Sequence, residues 1–292
     1  MRVLGALSIV ALSSAALAAP NDFRLNARGA DGQGLLFSES GARFIANETQ
    51  WKALVGELAF VFAPRIASPA ETLGHAGFHL GVLWSGTLVS KDEAYWKITE
   101  QGQRGSPNGL LQTLQVDIRK GLPLSFELGV NALWLVESQM WAPGIELRWA
   151  LHEGYHFAPD VGLRGSVNHL VGNRDLNLTV IGLDAVLSKG FGIAGVMNLA
   201  PYLSYSILMI AASSRVLDPT PTEEADVGRN LVLPELAAGS NVAQKLTLGS
   251  RFLFSLLNVS VQGELEFLRD TPTGVKIFGP VATISAKLGL DY

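Results

Sequence analysis

The sequence predicts an all-β chain that closes into a transmembrane antiparallel up-and-down β-barrel of about ten strands, and three observations predict it. Segment after segment alternates apolar and polar residues at the two-residue period of a strand. The last of these, Val281–Tyr292, runs to the end of the chain without a break. Beyond the N-terminal leader, no stretch reaches the roughly 18 uninterrupted apolar residues of a membrane-spanning helix. The most apolar run, Leu54–Ile66, is interrupted by Glu57, Pro64 and Arg65.

The final segment shows the pattern most plainly. Ala282, Ile284, Ala286, Leu288, Leu290 and Tyr292 share one face, and Thr283, Ser285, Lys287, Gly289 and Asp291 share the other. A wall that carries Lys287 and Asp291 suits the water side of a barrel whose outside meets lipid. The length also suits the roughly 9–11 residues of a tilted spanning strand.

At the other end, Arg2, the short apolar core Val3–Leu12 and the small residues up to Ala-Leu-Ala-Ala before Pro20 have the layout of a secretory signal peptide. Cleavage is expected after Ala18 or Ala19, preferably Ala19, so residues 1–19 are set apart as a leader. The formal charge of −4 becomes −5 once Arg2 is removed. Mild acidity without a basic block argues against a nucleic-acid partner. The chain has no cysteine, which excludes disulfides, thiol catalysis and thiolate metal sites. An exported chain without disulfides draws its stability from an extended sheet or a large core.

The interior strands are read in order. Leu73–Leu88 turn Phe78, Leu80, Val82 and Trp84 outward, and Gly109–Lys120 do the same with Leu114, Val116 and Ile118. Lys120-Gly121-Leu122-Pro123 reads as a tight turn. Leu124–Val136, Gly144–His152 and Asp160–His169 alternate in the same way. Leu176, Leu178 and Val180 alternate with Asn177 and Thr179, but the phase slips at Ile181, which reads as a β-bulge. A strand near Asn198–Ile210, Lys245–Ser255 and the run from Val259 to Phe267 complete the set. Short connections near 120–123, 154–159, 188–192 and 256–258 alternate with longer ones near 89–108, 136–143, 169–175, 212–243 and 269–280. That is the habit of barrels with short periplasmic turns and long external loops. The count is about ten, with eight to twelve allowed by boundary errors, over residues 67–292. Both barrel termini are then periplasmic.

Residues 20–66 form a separate N-terminal element, periplasmic or plugging. From Glu48 to Leu58, the residues Trp51, Leu54, Val55 and Leu58 follow helical spacing, with Asn47 as N-cap. The expectation is a short amphipathic helix on the periplasmic side or entering the barrel mouth, either a plug controlling passage or a lid covering the lower end.

The inward set is Asp117, Arg119, Glu127, Glu146, Arg148, His152, Arg164, Arg251, Glu264, Glu266 and Lys287. Buried charges must be paired, so these residues form either a structural salt-bridge lattice or a narrow ion path. Trp84, Trp134, Trp141, Trp149 and Tyr292 are expected at the bilayer interface. Catalysis has one arrangement to examine, His169 with Asn168 and Asp175. His75 and His79 share a face by parity, but a metal site needs further ligands. No phosphate loop, dinucleotide fingerprint or zinc signature occurs, and no cofactor is expected.

Two resemblances follow. The aromatic-ended final strand resembles the C-terminal strand by which bacterial outer-membrane barrels are recognised for assembly, which implies the barrel-assembly machinery and outer-membrane lipids as partners. Ser68-Pro69-Ala70-Glu71-Thr72-Leu73-Gly74 with Gly77-Phe78 resembles a family of uncharacterised outer-membrane β-barrels of Gram-negative bacteria. Arg119–Pro123, Leu163–Ser166, Gly182–Asp184, Ser188–Phe191, Pro201-Tyr202 and Ser285–Gly289 resemble it as well, so the likeness spans about residues 45–292. It implies fold and is mute on substrate. Ser38–Arg43 resembles long-chain fatty-acid transporter barrels, which are longer proteins with an N-terminal hatch. The functional expectation is passive transport or binding of small molecules, apolar ones included. A non-catalytic structural or adhesive surface barrel is the alternative, and a barrel enzyme comes third.

Overall fold

Ten long strands follow one another with antiparallel neighbours: β1 Phe78–Leu88, β2 Leu110–Leu122, β3 Phe126–Leu135, β4 Trp141–His152, β5 Asp160–His169, β6 Leu176–Ser188, β7 Met197–Ser214, β8 Val242–Phe254, β9 Leu257–Leu268 and β10 Val281–Asp291. The structure, a computed structural model, describes residues 19–25, 35–37, 44–46, 48–105, 107–155, 157–217, 232–268 and 281–292. The leader up to residue 18, Ser38–Arg43, Asn47, residues 218–231 of the connection 212–243, and all of 269–280 lie outside the described residues. Each long strand pairs with the next, and β10 pairs back onto β1 through Asp291 and His79 at one end and Ala282 and Leu88 at the other. The sheet therefore has no open edge among its long strands. It is a closed up-and-down barrel.

One face of every strand is exposed and apolar: Leu80, Val82 and Trp84 on β1, Val130 on β3, Leu147 and Trp149 on β4, Leu248 and Phe252 on β8, Ile284 and Leu288 on β10. The other face is buried. An apolar exterior around a polar interior inverts a soluble sheet and fits a barrel that crosses a bilayer. Among the described residues no helix is long and apolar enough to cross a membrane.

The connections 89–109, 136–140, 170–175 and the described parts of 215–241 gather at one end of the barrel. The first carries a 3₁₀ helix, Ala94–Ile98, and the short helix α2, Glu100–Arg104, capped by the Thr99 hydroxyl that accepts from the Gly102 N–H. The turns 123–125, 153–159, 189–196 and 255–256 gather at the other end, with Phe78 and Tyr292 hydrogen-bonded to each other.

The helix α1 covers Glu48–Val61, one turn longer than the spacing predicts. It does not lie beneath the barrel. It sits inside the lumen at the end of the long connections, opposite to the end that carries the barrel's own termini. From Ala53 to Val61 every residue is buried, so the helix is enclosed all round rather than along one stripe.

That position explains two departures from the sequence reading. No bulge interrupts β6: Leu176, Leu178 and Val180 face inward in unbroken register with Asp184 and Ser188. The inner wall turns apolar there because it meets α1 and its flanking segments, so the apparent change of phase is a change of lumen chemistry. A register shift falls instead between Ala150 and His152. The turn after β2 also lies three residues later than expected, over Pro123–Phe126. There Leu124 and Ser125 take φ of 61° and 60°, and the Phe126 N–H donates to the Pro123 carbonyl, as in a type I′ hairpin. Gly121 belongs to the strand. A Cβ on it would collide with the Gly74 carbonyl, so it is glycine to admit the incoming chain rather than to make a turn.

Candidate functional site

From α1 the chain descends the lumen as an extended strap, and the contacts of successive residues mark its course. The Asn168 side-chain amide donates to the Phe62 carbonyl at 3.1 Å. Lys245 Nζ donates to the Pro64 carbonyl at 3.0 Å. Arg65 pairs with Glu264 at 2.5 Å and lies 3.8 Å from Glu266, and its carbonyl accepts from Arg164 at 3.0 Å. The Ala67 N–H donates to Gln262 Oε1 at 2.9 Å. Ser68 Oγ and the Pro69 carbonyl accept from Arg148 at 2.8 and 2.5 Å. Lower still, the N–H groups of Ala70, Thr72 and Leu73 donate to Ser188, Glu153 and Glu127. Glu71 pairs with Arg251.

The strap needs these partners because an extended segment away from other strands leaves its own N–H and C=O groups unpaired. The wall supplies them as long side chains. Phe62–Ala70 are buried throughout, so the middle of the lumen is filled by the chain itself.

The lumen has two halves. At the long-connection end Leu111, Leu133, Leu135, Leu178, Leu208 and Ile210 close around Leu54, Leu58 and Phe60 of the helix. Toward the turn end the wall is charged and paired. Arg119 meets Glu127 at 2.8 Å, Arg148 meets the same carboxylate at 3.3 Å, and Arg164 bridges Glu146 and Asp184 at 2.6 and 3.0 Å. Lys287 holds Asp117 at 2.7 Å. His79, where β1 meets β10, is fully buried between Asp117, 3.1 Å from Nε2, and Asp291, which contacts Nδ1. The glycines Gly81 and Gly289 leave the space its ring fills.

Asp117, Arg119, Glu127, Glu146, Arg148, Arg164, Arg251, Glu264, Glu266 and Lys287 are thus buried together in the interior. His152 is not among them. It lies at the end of β4 past the register shift, stacked on Tyr155 with ring centroids 4.2 Å apart and Nδ1 3.1 Å from the Pro159 carbonyl. Arg65, Glu71, His79, Lys245, Asp184 and Asp291 complete the network. Strand parity already put His79, Lys245 and Asp291 on polar faces, whereas Arg65, Glu71 and Asp184 were not read as lumen residues. Asp184 was hidden by the presumed bulge, and Arg65 read only as an interruption in an apolar run.

The histidine arrangement offered for catalysis is not assembled. His169 faces outward, 2.8 Å from Thr179 Oγ1, whereas Asn168 faces inward onto the strap, and Asp175 accepts from the Leu25 N–H. His75 lies exposed before β1, apart from buried His79.

Beyond the end of β1, the connection 89–109 is tied to α1 by Glu57. This buried carboxylate accepts from the Ser90 N–H at 2.5 Å and from Trp96 Nε1 at 2.7 Å. Burial pushes its pKa upward against the opposing pull of these hydrogen bonds. Burial and the nearby Glu57 charge also raise Tyr95.

The aromatic residues mark two levels on the outer surface. Trp134 and Trp141 stack near the long-connection end, with centroids 5.9 Å apart, and Phe126 and Trp149 stack near the turn end at 5.4 Å. Tyr292 is at the turn end. Trp84 donates to Gln112 toward the other end. An apolar groove of about 450 Å³, lined by Phe126, Leu147, Trp149, Leu163 and Leu183 around Gly165, opens on the lipid-facing side. A more polar cavity of about 500 Å³ lies at the long-connection end between Asn21, Arg24, Glu100 and Glu137.

No family model matches the chain, and no curated protein does. Solved structures do. The N-terminal β-barrel domain of Pseudomonas aeruginosa OprF is 9% identical, the match covering 75% of this chain and 99% of that one, with a TM-score of 0.32. The attachment invasion locus protein Ail of Yersinia pestis is 10% identical over 75% of this chain and 99% of its own, with a TM-score of 0.28. An outer-membrane channel from Pseudomonas putida F1 is 11% identical over 78% of this chain and all of its own, with a TM-score of 0.39. All three are outer-membrane barrels. At these scores the assignment of a closed barrel rests on the ring of strands itself.

Proposed function

We propose that this protein is a bacterial outer-membrane barrel closed at rest by its own N-terminal segment, serving as a non-catalytic scaffold that presents its long connections at the cell surface. One observation carries the reading: residues 62–70 fill the lumen, pinned by wall side chains from seven strands. The apolar exterior, the two aromatic levels and the length of the strands support a place in the outer membrane. Fractionation with gel mobility tests that placement. The protein is expected in the outer membrane and to migrate faster unboiled than boiled. A soluble protein without a mobility difference would contradict it.

A second reading, gated passage of small polar molecules, is favoured by one specific feature. The wall pairs Arg119–Glu127, Arg164–Asp184 and Lys287–Asp117 are complete without the strap. Withdrawal of residues 62–73 would leave a largely satisfied polar conduit in the lower lumen. Liposome swelling with sugars of graded size, measured on the wild-type protein, separates the two. The scaffold reading expects none under any condition that leaves the chain intact, and the gated reading expects swelling when an applied potential or a bound small molecule releases the strap.

A further inference from the structure

The strap enters the lumen at the turn end, beside β1, and rises to α1 at the long-connection end. Residues 19–25 are found at that same end, on top of the helix. The Asn21 N–H donates to the Glu137 carbonyl at 3.0 Å, and the Asn21 side-chain amide donates to the Val136 carbonyl at 2.8 Å. The Phe23 carbonyl accepts from Asn173 at 2.7 Å, the Arg24 carbonyl from the Glu100 N–H at 2.9 Å, and the Leu25 N–H donates to Asp175 at 3.2 Å. Phe23 packs on Trp96, with ring centroids 5.3 Å apart. Trp51 of α1 donates to the Pro234 carbonyl at 2.9 Å. Three separate connections of the barrel therefore hold the beginning of the described chain, and a fourth holds the helix.

The order of these contacts along the sequence is monotonic. Residues 70–73 meet Ser188, Glu153 and Glu127 near the turns. Residues 62–67 meet the middle and upper wall, Glu57 meets Ser90 beyond the end of β1, and residues 21–25 meet the connections. The chain thus passes from one end of the barrel to the other inside the lumen before it begins the wall.

We infer that residues 19–25 are displayed outside the cell, as a structural part of the external cap, while the barrel's first strand begins and its last strand ends on the periplasmic side. This inference rests on the outer-membrane reading above and adds to it the side of the membrane on which the N-terminal segment lies. The ten wall strands alone return the chain to the side from which it started. Among the described residues, the lumenal passage is the crossing that separates residue 24 from residue 78. The external face is then built from two parts of the sequence: the wall connections, and an N-terminal segment that has traversed the lumen. The polar cavity between Asn21, Arg24, Glu100 and Glu137 is formed only where the two meet. Cleavage of a leader ahead of Pro20 would supply the free end that such a passage requires.

The chain has no cysteine, so single engineered thiols report position without background. Arg24→Cys tests the cap, Gly239→Cys tests a wall connection where an added side chain meets open space, and Val196→Cys tests the turn end, at an exposed position. Each variant is first shown to be heat-modifiable, then treated in intact cells with a membrane-impermeant maleimide. Labelling of positions 24 and 239 to within severalfold of each other, with position 196 labelled only after the outer membrane is permeabilised, is the expected result. Position 239 labelled with position 24 silent until permeabilisation would overturn the external display and leave the barrel's orientation standing. Position 24 silent both before and after permeabilisation would overturn the display as well. Position 196 labelled with position 239 silent would reverse the orientation, and the inference would fall with it.

Discussion

Arg65 concentrates the argument at the scale of the residue. Its guanidinium faces Glu264 and Glu266, donates to the Thr87 hydroxyl and to the Phe60 carbonyl, and is wholly buried. Removing one partner of a buried ion pair leaves an uncompensated charge, which costs roughly 3–5 kcal/mol. Arg65→Met is therefore expected to lower the urea midpoint of the detergent-solubilised protein, and Arg65→Met with Glu264→Gln to recover part of the loss. Equal stability of Arg65→Met and wild type would show that the strap does not depend on this pair. Glu57 gives a pH signature. Its carboxyl holds its proton more tightly folded than unfolded, so its contribution to stability is greatest in acid and falls as pH rises from the ordinary value of 4.5 toward the raised one. Glu57→Gln should remove that fall from the unfolding free energy measured across the window. Neither residue stood out in the sequence. A lone Arg or Glu in an apolar run has the same appearance whether it breaks a strand or anchors a plug. The wall charges were legible because each repeats the parity of its strand.

At the scale of the element, parity found the strands, and the lumen's contents decided where parity misled. β6 carries one continuous inward row, Leu176 to Ser188, which is apolar against α1 and then, apart from Val186 beside Ile66 and Ala70, small or polar against the strap. A rule that equates apolar with outward must then invent a bulge. The helix was legible as a helix because its stripe has helical spacing. Its seat was not, since the same stripe would serve a lid. Leu58→Asp tests the seat. A carboxylate among Leu111, Leu133 and Leu208 cannot be satisfied, so α1 should be expelled. The expected result is protease cleavage within residues 48–73 of a barrel that remains heat-modifiable. Cleavage no faster than in wild type would place the helix outside the apolar half. At the turn after β2, Leu124 takes a left-handed φ of 61°, which costs a residue with a Cβ roughly 1–2 kcal/mol. Leu124→Gly is expected to be neutral or stabilising in chemical denaturation, whereas Gly121→Ala should destabilise by collision with the Gly74 carbonyl. The reverse order would restore the glycine to a turn role.

The whole molecule joins a wall whose ends meet to a core that a hollow barrel would lack. The closed ring was readable because ten amphipathic strands without a spanning helix have few other ways to satisfy their backbones in lipid. That the chain fills its own lumen was readable only as one of two alternatives, a plug or a lid, and the course of the strap was not readable. Residues 62–73 have no periodic pattern, and their hydrogen-bond partners are scattered from Thr87 to Glu264 in sequence. This filling is what we propose closes the barrel at rest. The most direct test of that closure is ion conductance of the purified protein in planar bilayers, with wild type beside Leu58→Asp. A silent wild type and discrete conducting steps in the variant are expected. Steady steps of the same size in both proteins would mean that the lumen is open with the strap in place, and would contradict the closure.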